Sequence, residues 1–122
     1  MEKIKCICVM RELFQALSSL ESSLQELYGL SLNEAMVLCS IGQETVTAGT
    51  IVERTGLTPS HASKVIRQAE KKGLLLRELS AEDRRQMCFT LTDQAHRCLE
   101  VMKERGVEIP ERLQPLFEGA EM

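Results

Sequence analysis

The chain has 122 residues, 43% hydrophobic and 27% charged, ordinary values for one folded soluble domain. Aromatics make up only 3% and Trp is absent, so the expected core is Leu, Ile, Val, Met and Ala, and no apolar run approaches the roughly 20 residues a membrane span needs. The net charge of −3 hides an asymmetry: the segment from Arg54 to Arg85 holds eight basic and four acidic residues, a net +4, while the rest carries −7.

The first third is expected to be one long helix. Ile4, Ile7, Met10, Phe14, Leu17, Leu20, Leu24 and Leu27 recur at steps of three and four, with no Pro or Gly before Gly29. A helix of about 25 residues is roughly 37 Å long, more than so small a domain covers. Part of this stripe is therefore expected to lie against a second subunit, because an uncovered apolar stripe is a liability. The run Ile4–Met10 is short, broken by Lys5 and lacks a small-residue cleavage site, so it does not read as a signal peptide. The expected compartment is the cytoplasm, where the five cysteines start reduced.

Three short, well-punctuated helices follow. Ser31 and Glu34 have capping-box spacing and open a helix carrying Ala35, Met36, Leu38, Cys39 and Ile41, ended by Gly42. Thr47 is the cap of a second helix with Ile51 and Val52, stopped at Gly56. Thr58 followed by Pro59 starts a third helix, 59–72, closed by Gly73. The period then changes. Residues 74–79 and 87–92 read as two strands of a hairpin with a polar, charged tip at 80–86. Thr92-Asp93 starts another helix through Arg105, with Ala95, Cys98, Leu99 and Met102 on one face. Pro115 interrupts the tail that carries Leu113, Leu116 and Phe117, so a short or kinked helix is expected there.

This order describes a mainly α winged helix-turn-helix with a two-stranded wing: 47–55 is the positioning helix and 59–72 the recognition helix. At about 100° per residue, Ala62, Val65, Ile66 and Ala69 of the recognition helix fall within roughly 100° of arc. The opposite arc holds Ser60, Lys64, Arg67 and Lys71, flanked by Ser63 and Gln68. A basic, hydrogen-bonding face without a central acid suits the major groove of DNA. A solvated helix also shows a charged face, and what favours the groove is the basic hairpin directly behind it. There Arg84 and Arg85 stand at the tip beside Asp83, where an Arg can enter a minor groove and a carboxylate can hold it extended.

The stretch 31–102 resembles the MarR family of bacterial transcription regulators. Ala69-Glu70-Lys71-Lys72-Gly73-Leu74-Leu75 is similar to that family's L-E-x-K-G-L-[VI], with Ala69 for the usual Leu. Asp83-Arg84-Arg85 through Leu91-Thr92 is similar to its D-x-R wing followed by strand and L-T. Ser80-Ala81 stands where the family often has Asp-Pro, and Ala95 where it often has Gly. The resemblance implies an obligate homodimer that binds double-stranded DNA, with residues 1–29 and 93–122 as dimerisation helices of a single 1–122 domain and 31–92 as the DNA-binding part. It implies that Asp83 orients Arg85 in the minor groove while Ser60, Lys64 and Arg67 meet the major groove. A repressor is the expected role.

The resemblance also implies a small-molecule effector, for which Met10, Phe14, Met36 and Met87 are candidate cleft residues; the same residues at helical spacing also suit a plain core. Some MarR-like regulators sense oxidants through an N-terminal cysteine, which makes Cys6 and Cys8 candidate redox sensors. Cys39, Cys88 and Cys98 are expected in the core. No Cys-x-x-Cys and no His pair at spacing four occurs, so no metal and no cofactor are expected. No phosphate loop or catalytic triad points to an enzyme. The competing expectation is a winged-helix protein-association module whose basic face meets an acidic partner; a thiol-responsive variant of the regulator is a third.

Overall fold

The computed structural model describes residues 3–117, and side chains from 6 to 116. The side chains of Ile4 and Phe117, and residues 1–2 and 118–122 of the expected dimerisation segments, lie outside that range. The elements run α1 (Lys3–Tyr28), α2 (Leu32–Ile41), β1 (Val46–Thr47), α3 (Ala48–Thr55), α4 (Pro59–Lys71), β2 (Leu75–Leu79), β3 (Met87–Leu91) and α5 (Asp93–Arg105). A 3-10 turn at Glu111–Leu113 and a last helical turn, α6 (Gln114–Phe117), follow. The chain divides into two compact units: residues 1–32 with 102–122, and residues 33–101.

The first unit is built on α1. Ala16, Leu20 and Leu113 form its buried cluster, with Leu13, Val107 and Ile109 packed against it. The Tyr28 hydroxyl donates to the Gly106 carbonyl, and Arg112 pairs with Glu12. Pro110 and Pro115 break the tail into single turns, as the sequence suggests, and these deliver Leu113 to the cluster. Ile7, Met10, Phe14, Leu17 and Leu27 stay exposed, Phe14 at 71%.

The second unit holds the helix-turn-helix. Thr47 Oγ1 accepts from Thr50 N at 3.2 Å and Thr58 Oγ1 from His61 N at 3.2 Å, the two caps expected of these residues. Gly56, at φ 77°, supplies the left-handed turn between α3 and α4 that a Cβ would strain. The sheet has three strands, not two, in the order β1-β3-β2, all antiparallel. Val46 pairs with Phe89 and Thr47 with Cys88, so β1 adds a strand to the wing. Two residues carry no period for a sequence pattern to show, and Thr47 already reads as a helix cap.

One further expectation is corrected. Cys88 is buried, but Cys39 is exposed and Cys98 only half-buried. Cys39 sits beside Leu38 on α2, but it is Leu38, fully buried, that faces the core. Glu34, the acid of the capping-box spacing at the start of α2, is 2% exposed, and its carboxylate also accepts from Lys72 Nζ at 2.7 Å. A buried carboxylate needs such a partner, and this pair ties the end of α4 to α2.

Candidate nucleic-acid interface

Helix α4 divides sharply into two faces. Ala62, Val65, Ile66 and Ala69 are all at most 2% exposed. Burying Val65 and Ile66 alone contributes about 3–6 kcal/mol of apolar transfer, which fixes the helix's rotation. Ser60, Ser63, Lys64, Arg67, Gln68 and Lys71 are consequently exposed on the other side.

The wing tip is closed by Ser80 N donating to Gln86 O at 2.8 Å and Gln86 N to Asp83 O at 2.9 Å. Ser80 Oγ accepts from Glu82 N and Asp83 N at 3.2 and 3.3 Å, so a serine turn forms where related sequences often place Asp-Pro. Asp83 Oδ1 accepts from Arg85 N at 3.0 Å and from Arg85 Nε at 3.4 Å. The first of these contacts shapes the backbone. The second is long and leaves the Arg85 side chain 94% exposed, extended from the tip. Arg84 beside it is exposed.

The structure sorts the central basic block into two groups. Arg54 is held bidentately by Glu44 at 2.7 and 3.2 Å and also donates to Ser40 O. The paired guanidinium lowers the Glu44 carboxyl below its ordinary value, mainly through the hydrogen bond. Lys72 is tied to Glu34. Arg77 Nη2 and Nε donate to Glu70 Oε1 and Oε2 at 2.7 and 3.2 Å, and its guanidinium lies 5.3 Å from the Phe89 ring centre. That hydrogen bonding holds the Arg77 guanidinium above its ordinary range. Among the described residues, Lys64, Arg67, Lys71 and Arg84 make no ion pair. The unpaired cations of this block thus lie on the exposed face of α4 and at the wing tip, where Glu70 and Asp83 are already engaged by Arg77 and Arg85.

A groove of about 350 Å³ lies beside α4, lined by Ala48, Ser63, Ile66, Arg67, Arg77, Met87 and Phe89. Sequence patterns missed Arg77 and Glu70, which sit seven residues apart across the helix exit, where neither helical nor strand spacing brings them together. Thr92, read in the sequence with Asp93 as a helix start, accepts from Ala95 N at 3.2 Å, and its hydroxyl also donates to Gly73 O at 2.7 Å, locking the exit of α4 to the start of α5.

Of the candidate sensors, Cys6 is half-buried and Cys8 exposed on α1. Met10 and Phe14 are exposed on α1, Met36 is half-buried on α2, and Met87 lines the groove. Among the described residues, no group of three or more His, Cys, Asp or Glu could hold a metal ion, and no helix is long and apolar enough to cross a membrane.

Residues 28–86 match a family model described as MarR family. No curated protein matches the chain. Among solved structures, it is similar to BpsR of Bordetella bronchiseptica, whose DNA binding is regulated by 6-hydroxynicotinic acid, at 20% identity and TM-score 0.72 over 98% of this chain and 88% of that one. Similarity extends to Staphylococcus aureus MepR in complex with DNA, at 19% identity and TM-score 0.64 over 79% and 80%. CouR of Rhodococcus jostii RHA1, bound to p-coumaroyl-CoA, gives 24% identity and TM-score 0.71 over 97% and 80%.

Proposed function

We infer, from its place in the MarR family, that this chain is a sequence-specific transcription regulator, a repressor, binding double-stranded DNA as a homodimer. Helix α4 enters the major groove with Ser60, Ser63, Lys64, Arg67, Gln68 and Lys71. The wing 80–86 approaches the minor groove with Arg84 and with Arg85 steadied by Asp83. The observation that carries this proposal is the set of cations on α4 and the wing tip that the protein leaves unpaired. A face kept in that state favours phosphates and guanine edges. The exposed apolar stripe of α1 supports the second copy, with residues 1–29 and 93–122 as the dimerisation segments. Two such heads engage half-sites about one helical turn apart. The similar structures of BpsR, whose DNA binding is regulated by 6-hydroxynicotinic acid, and of CouR bound to p-coumaroyl-CoA support a small-molecule effector for this chain as well.

The test is selection of duplexes from a random pool, followed by a binding titration over a range of salt. A near-palindromic consensus whose affinity falls steeply with salt is expected. A chain that retains no duplex at low salt, yet co-purifies with one acidic protein, overturns the proposal in favour of a protein-association module.

A further inference from the structure

Glu70 is the sole carboxylate on α4, and it stands three residues after Arg67 and next to Lys71. Residues three apart on a helix are surface neighbours, so Glu70 is placed to capture Arg67. It does not: Arg77 of β2 occupies both of its oxygens, at 2.7 and 3.2 Å, and Arg67 has no ion pair. Arg67 and Arg77 line the same groove, and the three-residue spacing puts Glu70 in reach of Arg67 as well, so one acid has two potential guanidinium partners. Arg77 holds it from the strand, where its Nε and Nη2 meet both oxygens at once, a contact Arg67 does not make. Phe89, its cross-strand partner, supports the guanidinium from the side.

We propose that Arg77 is a positioning residue for DNA binding: by holding both oxygens of Glu70 it keeps Arg67 unpaired and available to the duplex. This rests on the DNA-binding function inferred above. An exposed ion pair three apart on a helix shifts an equilibrium by up to about twofold. Two heads on one duplex, with a bared carboxylate repelling phosphate at each, bring the expected loss to about fivefold.

The experiment compares the parent, Arg77→Met, Glu70→Gln, the double variant and Arg67→Ala. Each is titrated against the duplex selected by the parent, and the Arg67 Nε–Hε signal of the free protein is followed by NMR. Arg77→Met is expected to bind about fivefold more weakly, with a shallower salt dependence and a shifted, more slowly exchanging Arg67 signal. Glu70→Gln alone binds at least as tightly as the parent, and the double variant regains parental affinity and the parental Arg67 signal. If Arg77 were merely a clamp between wing and helix, Glu70→Gln would be as damaging as Arg77→Met and the double variant would show no recovery. That pattern, or an Arg67 signal indifferent to Arg77→Met, overturns the proposal while leaving DNA binding intact. Parental affinity in Arg67→Ala instead removes Arg67 from the interface, and a parent that retains no duplex removes DNA binding itself; either result overturns the proposal too.

Discussion

Helix α1 and helix α4 each bury one face and leave the other to the surroundings, but what they leave differs in kind. Helix α1 exposes Ile7, Met10, Phe14, Leu17 and Leu27, an apolar surface that water disfavours. Helix α4 exposes Lys64, Arg67 and Lys71, charges that water solvates well and that gain only when a denser negative charge replaces it. The first surface therefore calls for protein, with hydrophobic area as the drive. The second calls for a polyanion, with counterion release as the drive. In the proposed function, one unit supplies assembly and the other supplies reading.

The largest effect is expected where the apolar surface is spoiled. Replacing Phe14 and Leu17 together by Glu places charge in the stripe without touching the buried Ala16 and Leu20. The variant should sediment as a monomer at micromolar concentration. Its affinity for the two-half-site duplex should drop by about a hundredfold or more, since the second head loses its effective concentration. A variant that remains dimeric shows that the stripe meets something other than a second copy.

Next comes a cation of the same central block that is internally committed. Lys72→Ala leaves Glu34 buried without its ammonium, and should lower stability by about 2 kcal/mol, read as a fall of several degrees in Tm. The salt slope of DNA binding should stay parental, because Lys72 is not offered to the duplex. Lys64→Ala and Arg85→Ala should do the opposite. Each should weaken binding roughly tenfold and flatten the salt dependence, with Tm unchanged within a degree or so. If Lys72→Ala flattens the slope as much as Lys64→Ala does, the division between paired and unpaired cations has no functional meaning.

Much of this contrast is legible in the sequence. The apolar arc of α4, the caps at Thr47 and Thr58 and the charged hairpin tip are all local patterns, and each is found where its residues suggest. The candidate contacts on α4 followed from the same rotation, because burying Ala62, Val65, Ile66 and Ala69 leaves the opposite face no choice. What the sequence withheld was pairing between distant segments. Glu34 with Lys72, Glu70 with Arg77 and the short strand at Val46–Thr47 depend on how separate elements come together. A count of eight basic residues therefore overstated the charge available to DNA, because several are neutralised by acids that sequence patterns do not connect to them.

The smallest expected effect sharpens the comparison at Arg54, a cation that needs nothing from outside. Its bidentate partner Glu44 lies at the surface, and the hydrogen bond and charge of Arg54 hold the Glu44 carboxyl below its ordinary value. A carboxyl whose folded value is depressed adds stability that is present above its unfolded value and disappears as pH falls through the folded one. Glu44→Gln should therefore melt slightly below the parent at neutral pH, by a degree or two at most, since exposed pairs are screened by solvent. The gap should close as pH falls from about 4 downward, where the parent's own carboxyl takes up a proton. Raising salt at neutral pH should narrow the same gap. DNA affinity should not follow it, because Arg54 is already spoken for. A Glu44→Gln variant that binds DNA more tightly and with a steeper salt slope would mean that Arg54, once released, joins the reading face, and the boundary between structural and reading cations would then have to be redrawn to include α3.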